Sequence, residues 1–260
     1  MREQQPPLKV IRAFPLPEGG ALVHLHNLSG GVLGGDHLEI NVELGPRAYA
    51  QLTSTSSTRL YRSTPDAPPA TQTNLIQVGE AALLEYLPDP LIPFAGSHYH
   101  QRTHIELAND AGLFWWETIA PGREARGELF DYQQLHLGFD ITARGKPLAI
   151  ERIQLEPHQR RLPSLVRLGP YRYFSSFYIC RVGLEAPYWS RLESELSLLA
   201  QQHSIAGEII WGVSSLVAHG LVIKALSSQG RAITPGLLTF WRTARRALYG
   251  REALPPRKIY

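Results

Sequence analysis

The stretch "GGVLGGDHLEINVELG", residues 30–45, decides how this chain is to be read. Two glycine pairs, Gly30-Gly31 and Gly34-Gly35, enclose a short apolar step, and Asp36 follows at once. A phosphate loop of this composition would follow a strand, open a helix and carry a lysine before a hydroxyl. The residues after Asp36 instead alternate, with Leu38, Ile40, Val42 and Leu44 on one face, the signature of a half-buried strand. No Gly-Lys-Ser/Thr follows. The glycines therefore read as a strand-to-strand corner that needs positive φ or close backbone approach. By composition alone, Asp36 reads as the turn residue of that corner.

Outward from this corner, strand signals continue. A Gly45-Pro46 turn leads into "RAYAQLTSTSSTRLYRS", a run rich in β-branched and aromatic residues. A proline-rich loop, "LYRSTPDAPPAT", separates it from "TNLIQVG", "AALLEYLP", "SHYHQRTHIEL", "GLFWWETIA", "LFDYQQLHLGFDI" and "KPLAIERIQL". Turn signals at Asn109-Asp110 with Gly112, Pro121-Gly122 and Arg144-Gly145 punctuate them. Near the C-terminus two helices are predicted. One opens on Pro187 and runs to His203, with Trp189, Leu192, Leu196 and Leu199 spaced by three and four. The other has Thr234 as cap, Pro235 at its first helical position and Gly250 as its stop, with Leu237, Trp241, Ala244 and Leu248 on its buried face. The expected fold is mainly β, with stacked or helically wound antiparallel sheets and two C-terminal α-helices. It forms a single domain over residues 1–260, a β-rich body to residue 180 and a helix-containing part from 181.

With 43% hydrophobic and 19% charged residues, the chain is globular and not disordered. A net charge of +3 is too small to argue for nucleic acid without a concentrated basic stripe. Arg242, Arg245, Arg246, Arg251, Arg257 and Lys258 do cluster, either as a solvated helix end or as contact with an acidic partner. Cys180 is the only cysteine, so no intramolecular disulfide forms and a reducing compartment fits. The opening "MREQQPPLKV" lacks the apolar core of a signal peptide. The apolar run "IIWGVSSLVAHGLVIKAL" holds two glycines, a histidine and a lysine, and reads as two strands around a turn and not as a membrane span. A cytoplasmic protein is expected, with neither membrane nor nucleic acid as partner.

Two groups of residues could carry chemistry. The histidines of "HLH" (His24, His26) and "HYHQRTH" (His98, His100, His104) fall two apart on strands, so neighbours share a face and could bind nickel or zinc. They could equally be polar-face residues. Glu117, Glu124 and Glu128 surround the Pro121-Gly122 turn with Arg123 and Arg126. They read as an internal ion-pair network. Alternatively, Glu117 and Glu128 form the acid–base pair of a β-sandwich hydrolase acting on glycosides. A third reading makes the carboxylates weak, exchangeable oxygen ligands along a metal path.

The segment "SGGVLGGDHLEINVELGPRAYAQLTSTSSTRLYRS" resembles the signature of the urease accessory protein UreD family, called UreH in some organisms. Gly30, Gly31, Gly34, Gly35 and Asp36 match its glycine loop, and Arg59, Tyr61, Arg62 and Ser63 match the end of its Thr-rich strand. "LEYLPDPLIPFAGSHYHQRT", "WWETIAPGREARGELF", "GLVIKALSS" and "PPRKIY" extend the resemblance over nearly the whole chain in order. Ser29 stands where the family usually has proline. The resemblance implies a non-enzymatic chaperone of urease maturation. Such a protein binds apo-urease and a UreF-type partner, which recruits a UreG-type GTPase, and it assists nickel insertion. No permanently bound cofactor is implied, only transient nickel, for which Asp36 and behind it Glu128 are the path candidates. Arg59, Tyr61, Arg62 and Arg123 are expected to hold the architecture around them.

Overall fold

A computed structural model describes residues 3–64, 66–164 and 167–256. After short β1 (Leu8–Lys9) and β2 (Ala13–Pro15), the chain winds alternately through two sheets. In the first, β3 (Ala21–Asn27), β5 (Tyr49–Ser54), β8 (Leu83–Tyr86) and β11 (Gly112–Ile119) lie side by side and parallel. In the second, β4 (His37–Leu44), β7 (Ala70–Val78), β10 (His98–Leu107) and β12 (Gln134–Ala143) do the same. Short β6 (Thr58–Leu60) and β9 (Leu91–Pro93) pair in parallel before the crossings that follow them.

Neighbouring strands here are one full winding apart and therefore run the same way. Antiparallel pairing, expected throughout, appears where β1 and β2 meet β3 at the start and again where the winding ends. There β13 (Lys146–Leu155) folds back on β12 through Arg144-Gly145, both at positive φ. The first sheet likewise continues from β11 through antiparallel β14 (Tyr173–Arg181), β16 (Gly220–Ser227) and β15 (Ile209–Ser215). The predominance of β and the wound arrangement agree with the sequence reading, but the pairing is mixed. Alternation reports which face a residue takes, and it is the same for both strand directions.

Helices α1 (Ala186–His203) and α2 (Ile233–Tyr249) cover the outer face of the first sheet. Along β11, Phe114 and Trp116 face the helices, while Leu113 and Trp115 face the core between the sheets. Burial on both faces explains the unbroken apolar run in that strand. Helix α1 buries Trp189, Leu192, Leu196 and Ala200. Helix α2 buries Leu237, Trp241, Ala244 and Leu248 as its spacing predicts, and Gly250 closes it in the left-handed conformation. Its start differs from the expectation. Thr234 lies inside the helix and provides no cap, and Pro235 is its third residue and not its first, because a short 3-10 turn, Gly230–Ala232, leads straight into α2 at Ile233.

Arg245 is also not part of a solvated helix end. It is buried, and its Nε donates to Glu85 Oε1 at 2.9 Å. Glu85 further accepts from Trp241 Nε1 at 3.1 Å, Gln51 Nε2 at 3.0 Å and the Tyr49 hydroxyl at 2.9 Å. This set of donors satisfies a carboxylate that burial would otherwise make very costly, and it ties α2 to β5 and β8. Arg246 pairs with Glu252 at the surface, whereas Arg257, Lys258 and the end of "PPRKIY" lie outside the described residues.

Candidate functional site

Four corners, at residues 28–36, 61–69, 94–97 and 120–133, carry the chain from the first sheet to the second, and they stack at one end of the winding. Backbone hydrogen bonds join them. Val32 donates to the Arg59 carbonyl at 2.8 Å and Tyr61 donates back to Val32 at 2.8 Å. Ser63 donates to Gly96 at 3.1 Å, and Gly96 to Asp131 at 2.9 Å. Residues distant in sequence thus become successive layers of one face.

The glycine pairs serve this stacking. Gly30 and Gly35 take φ of +76° and +85°, a region that ordinary side chains avoid. Gly31 passes so close to the Tyr61 ring that a Cβ would sit 2.4 Å from it and 2.7 Å from the Arg59 carbonyl oxygen; at Gly34 the crowding comes from Ser63. Ser29 holds the loop's entry without proline. Its hydroxyl lies 2.7 Å from Asn27 Oδ1 and 2.8 Å from the Gly31 carbonyl oxygen.

Asp36 closes the loop. Its Oδ2 accepts the Leu33 N–H at 2.8 Å, and its own N–H donates to the Leu33 carbonyl at 3.0 Å. The layers continue through side chains. Tyr61 meets Phe94 edge-on at 5.2 Å, and the Arg123 guanidinium lies 4.2 Å over the Phe94 ring. Arg123 then pairs with Glu128, whose Oε2 lies 2.8 Å from Arg123 Nε and 3.2 Å from the Ala95 N–H. The bond from Arg123 holds the Glu128 carboxyl below its ordinary range. Arg62 Nε reaches the Ala95 carbonyl at 3.4 Å, whereas Arg59 contributes through its backbone and leaves its side chain exposed.

The ion-pair reading of the three glutamates holds for Glu128 and for Glu124. Glu124, however, pairs with the distant Arg172 and accepts from the Tyr173 hydroxyl at 2.7 Å. Glu117 is different. It faces a cavity of about 40 Å3 between the sheets, also lined by Gln72, Tyr86, Tyr99 and Gln101. Its Oε1 accepts from Gln101 Nε2 at 2.6 Å. Burial pushes its carboxyl up to about 7, opposed by the Gln101 bond.

A connected polar belt surrounds Glu117. The Tyr99 hydroxyl lies 3.0 Å from Gln101 Oε1 and 3.1 Å from Gln72 Oε1. Gln72 donates to Asn74 at 2.9 Å, and Asn74 to Thr103 at 2.8 Å. This belt lies between an apolar cluster under the corners and another at the far end of the winding. Gln72, Asn74 and Gln101 were not singled out from the sequence. Their signal was present, since each occupies an inward position where its strand's alternation calls for an apolar residue.

Glu128 does not line the cavity that Glu117 faces, so the two proposed hydrolase carboxylates do not share it. Among the described residues, no group of three or more His, Cys, Asp or Glu is arranged to hold a metal ion, and no helix is long and apolar enough to cross a membrane. Cys180 is fully buried, and burial pushes its thiol up to about 12, which leaves it unreactive.

Comparison with known proteins identifies what the chain is similar to. The family model described as "UreD urease accessory protein" matches residues 1–259. A protein named urease accessory protein UreD from Herpetosiphon aurantiacus is 49% identical over 260 residues, covering 100% of this chain and 90% of that relative. The protein of that name from Pseudomonas aeruginosa PAO1 is 34% identical over 228 residues, covering 88% of this chain and 76% of the relative. One from Bacillus sp. TB-90 is 27% identical over 251 residues, or 96% and 89% of the two chains.

Proposed function

The chain belongs to the UreD family of urease accessory proteins, and from that premise we propose that it is a maturation chaperone through which nickel reaches apo-urease. In this reading it binds apo-urease and a UreF-type protein, the latter recruits a UreG-type GTPase, and the assembly works in the cytoplasm without catalysis by this chain. Nickel is cargo and does not reside. The observation that carries the conduit role is the polar belt around Glu117. Satisfied oxygen and amide groups in the middle of a β core contribute less to stability than apolar packing would. They do supply weak oxygen ligands that a travelling ion can exchange.

Asp36 is the candidate carboxylate at the corner end of this route. One of its oxygens is engaged by the turn. Glu128 can join only if Arg123 releases it, so it stands second.

The test is urease activity and bound nickel after maturation with Asp36→Asn and with Glu117→Gln, beside a pull-down of the complex. Asparagine retains an oxygen to accept the Leu33 N–H, so the corner and the complex should persist while nickel loading falls. Wild-type nickel content in both variants would reject the conduit and leave a docking role alone. A chain that captures neither apo-urease nor the UreF-type protein would reject the chaperone reading itself.

A further inference from the structure

The outer face of the second sheet carries histidines that the proposed function does not use. His98 and His100 lie two apart on β10, so their imidazoles leave the same face. The parallel register with β12 sets His98 beside Gln134 and His100 beside His136. The Nε2 atoms of both His98 and His100 hydrogen-bond a single atom, Gln134 Oε1, with His100 at 2.9 Å. The Gln134 amide in turn donates to Glu156 Oε1 at 2.7 Å, and that same oxygen lies 3.3 Å from His136 Nε2. All five side chains are only partly buried, so the group is open to solvent.

Two imidazole nitrogens aimed at one oxygen define a point that suits a cation. The oxygen that fills it belongs to a half-buried side chain and not to the backbone, so the point can be vacated by side-chain rotation alone, at the cost of the hydrogen bonds Gln134 makes to His98, His100 and Glu156. Rotation of Gln134 also releases Glu156, which can then turn toward the vacated point. His136 is not a further ligand there. Its ring stacks on His100 at 4.8 Å with an interplanar angle of 7°, and parallel rings do not direct their lone pairs at a common centre. It serves as the partner that orients Glu156.

We propose that His98 and His100, with Glu156 as third ligand once Gln134 turns aside, form a surface site for a late first-row divalent transition metal ion. Two imidazoles and one carboxylate favour nickel, copper, zinc or cobalt over magnesium or calcium, which prefer all-oxygen shells. Water completes the coordination on the open side. The two histidines are fixed relative to each other, because β10 is paired with β12 on one side and with β7 on the other.

The test uses the full chain, co-purified with the UreF-type partner, against the same preparation carrying His98→Asn with His100→Asn. Zn2+ and Ni2+ binding is followed by calorimetry, and Co2+ binding by its visible absorption. The wild type should bind one more ion per chain than the double variant, with a Co2+ spectrum of mixed nitrogen and oxygen ligands. Either single substitution should weaken that ion by about tenfold or more, and Glu156→Gln should weaken it less. Gln134→Ala, which removes the competing acceptor, should tighten it. His104→Asn, on the same face but outside the group, should leave it unchanged. Equal stoichiometry and affinity in the wild type and the double variant would overturn the site, as would an equal effect of His104→Asn. This site is read from the difference in ion count between the wild type and the double histidine variant, whereas the conduit is read from the nickel content of matured urease, so failure of this site and failure of the conduit reading are separately visible.

Discussion

Gly31 states the demand of the corner most sharply. A methyl group there would press on both the Tyr61 ring and the Arg59 carbonyl, and the second is backbone that cannot rotate away. Gly31→Ala should therefore destabilise the chain by about 1–3 kcal/mol, as overpacking does. Gly127→Ala makes a useful control for a different penalty, since a Cβ there meets open space and only the φ of +78° is strained. Thermal unfolding of the two variants in the soluble complex separates contact from backbone strain. Glu117 carries the second prediction at this scale. Its folded-state carboxyl titrates near 7, above the ordinary value of 4.5. Below pH 4.5 the group is protonated in both states. Between 4.5 and 7 the unfolded chain releases its proton while the folded chain keeps it, so stability falls as pH rises and levels off above 7. The decline is on the order of 3 kcal/mol over the whole range. Glu117→Gln should remove it, and denaturant unfolding at pH 5 and pH 8 measures the difference. A wild-type curve that is flat over this range would mean that Glu117 is ionised inside the fold.

At the scale of elements, α2 is fastened and not merely laid on the sheet. Trp241 is fully buried, and its indole N–H donates to Glu85 beside Arg245. Trp241→Ala should cost about 3–5 kcal/mol as a large-to-small core change. Glu85→Gln should cost on the order of 3–5 kcal/mol, because it removes the buried carboxylate to which Arg245 Nε donates. The two losses should fall short of additive, since both act on the same network. Unfolding of the variants in the soluble complex checks this. Unchanged stability of Trp241→Ala with lost partner binding would instead make α2 a docking surface. Both helices and most strands were legible because periodicity reports burial directly. The helix start was not, because Thr234 and Pro235 look like a cap and first-turn pair whether or not a 3-10 turn precedes them. Nor was the burial of Arg245, since its partner Glu85 is distant in sequence and nothing local marks the pair.

Across the whole molecule, the sheets end in edges. Strands β4 and β13 close the second sheet, and β15 closes the long path of the first. β4 carries Glu39 and Glu43, charges that discourage pairing with another chain, whereas β15 leaves Ile210 39% exposed. The chain alone should therefore self-associate, and co-expression with a UreF-type partner should keep it dispersed. Ile210→Lys should reduce the association of the free chain. Light scattering reads both effects, and a monodisperse wild-type chain without any partner would contradict the first.

The sequence by itself determined the β content, the corner glycines, both helices and the resemblance to the UreD family. Each of these rests on neighbours along the chain, where alternation, a 3.6-residue period or a local motif is enough. Only the tertiary structure decided that the wound strands run parallel, because the same alternation serves either direction. It also decided that Asp36 and Glu128 lie in stacked corners, and that Glu117 faces a cavity that Glu128 does not line. These facts depend on registry between strands some thirty residues apart. Registry follows from how the whole apolar pattern packs, and no single stretch of the chain contains it.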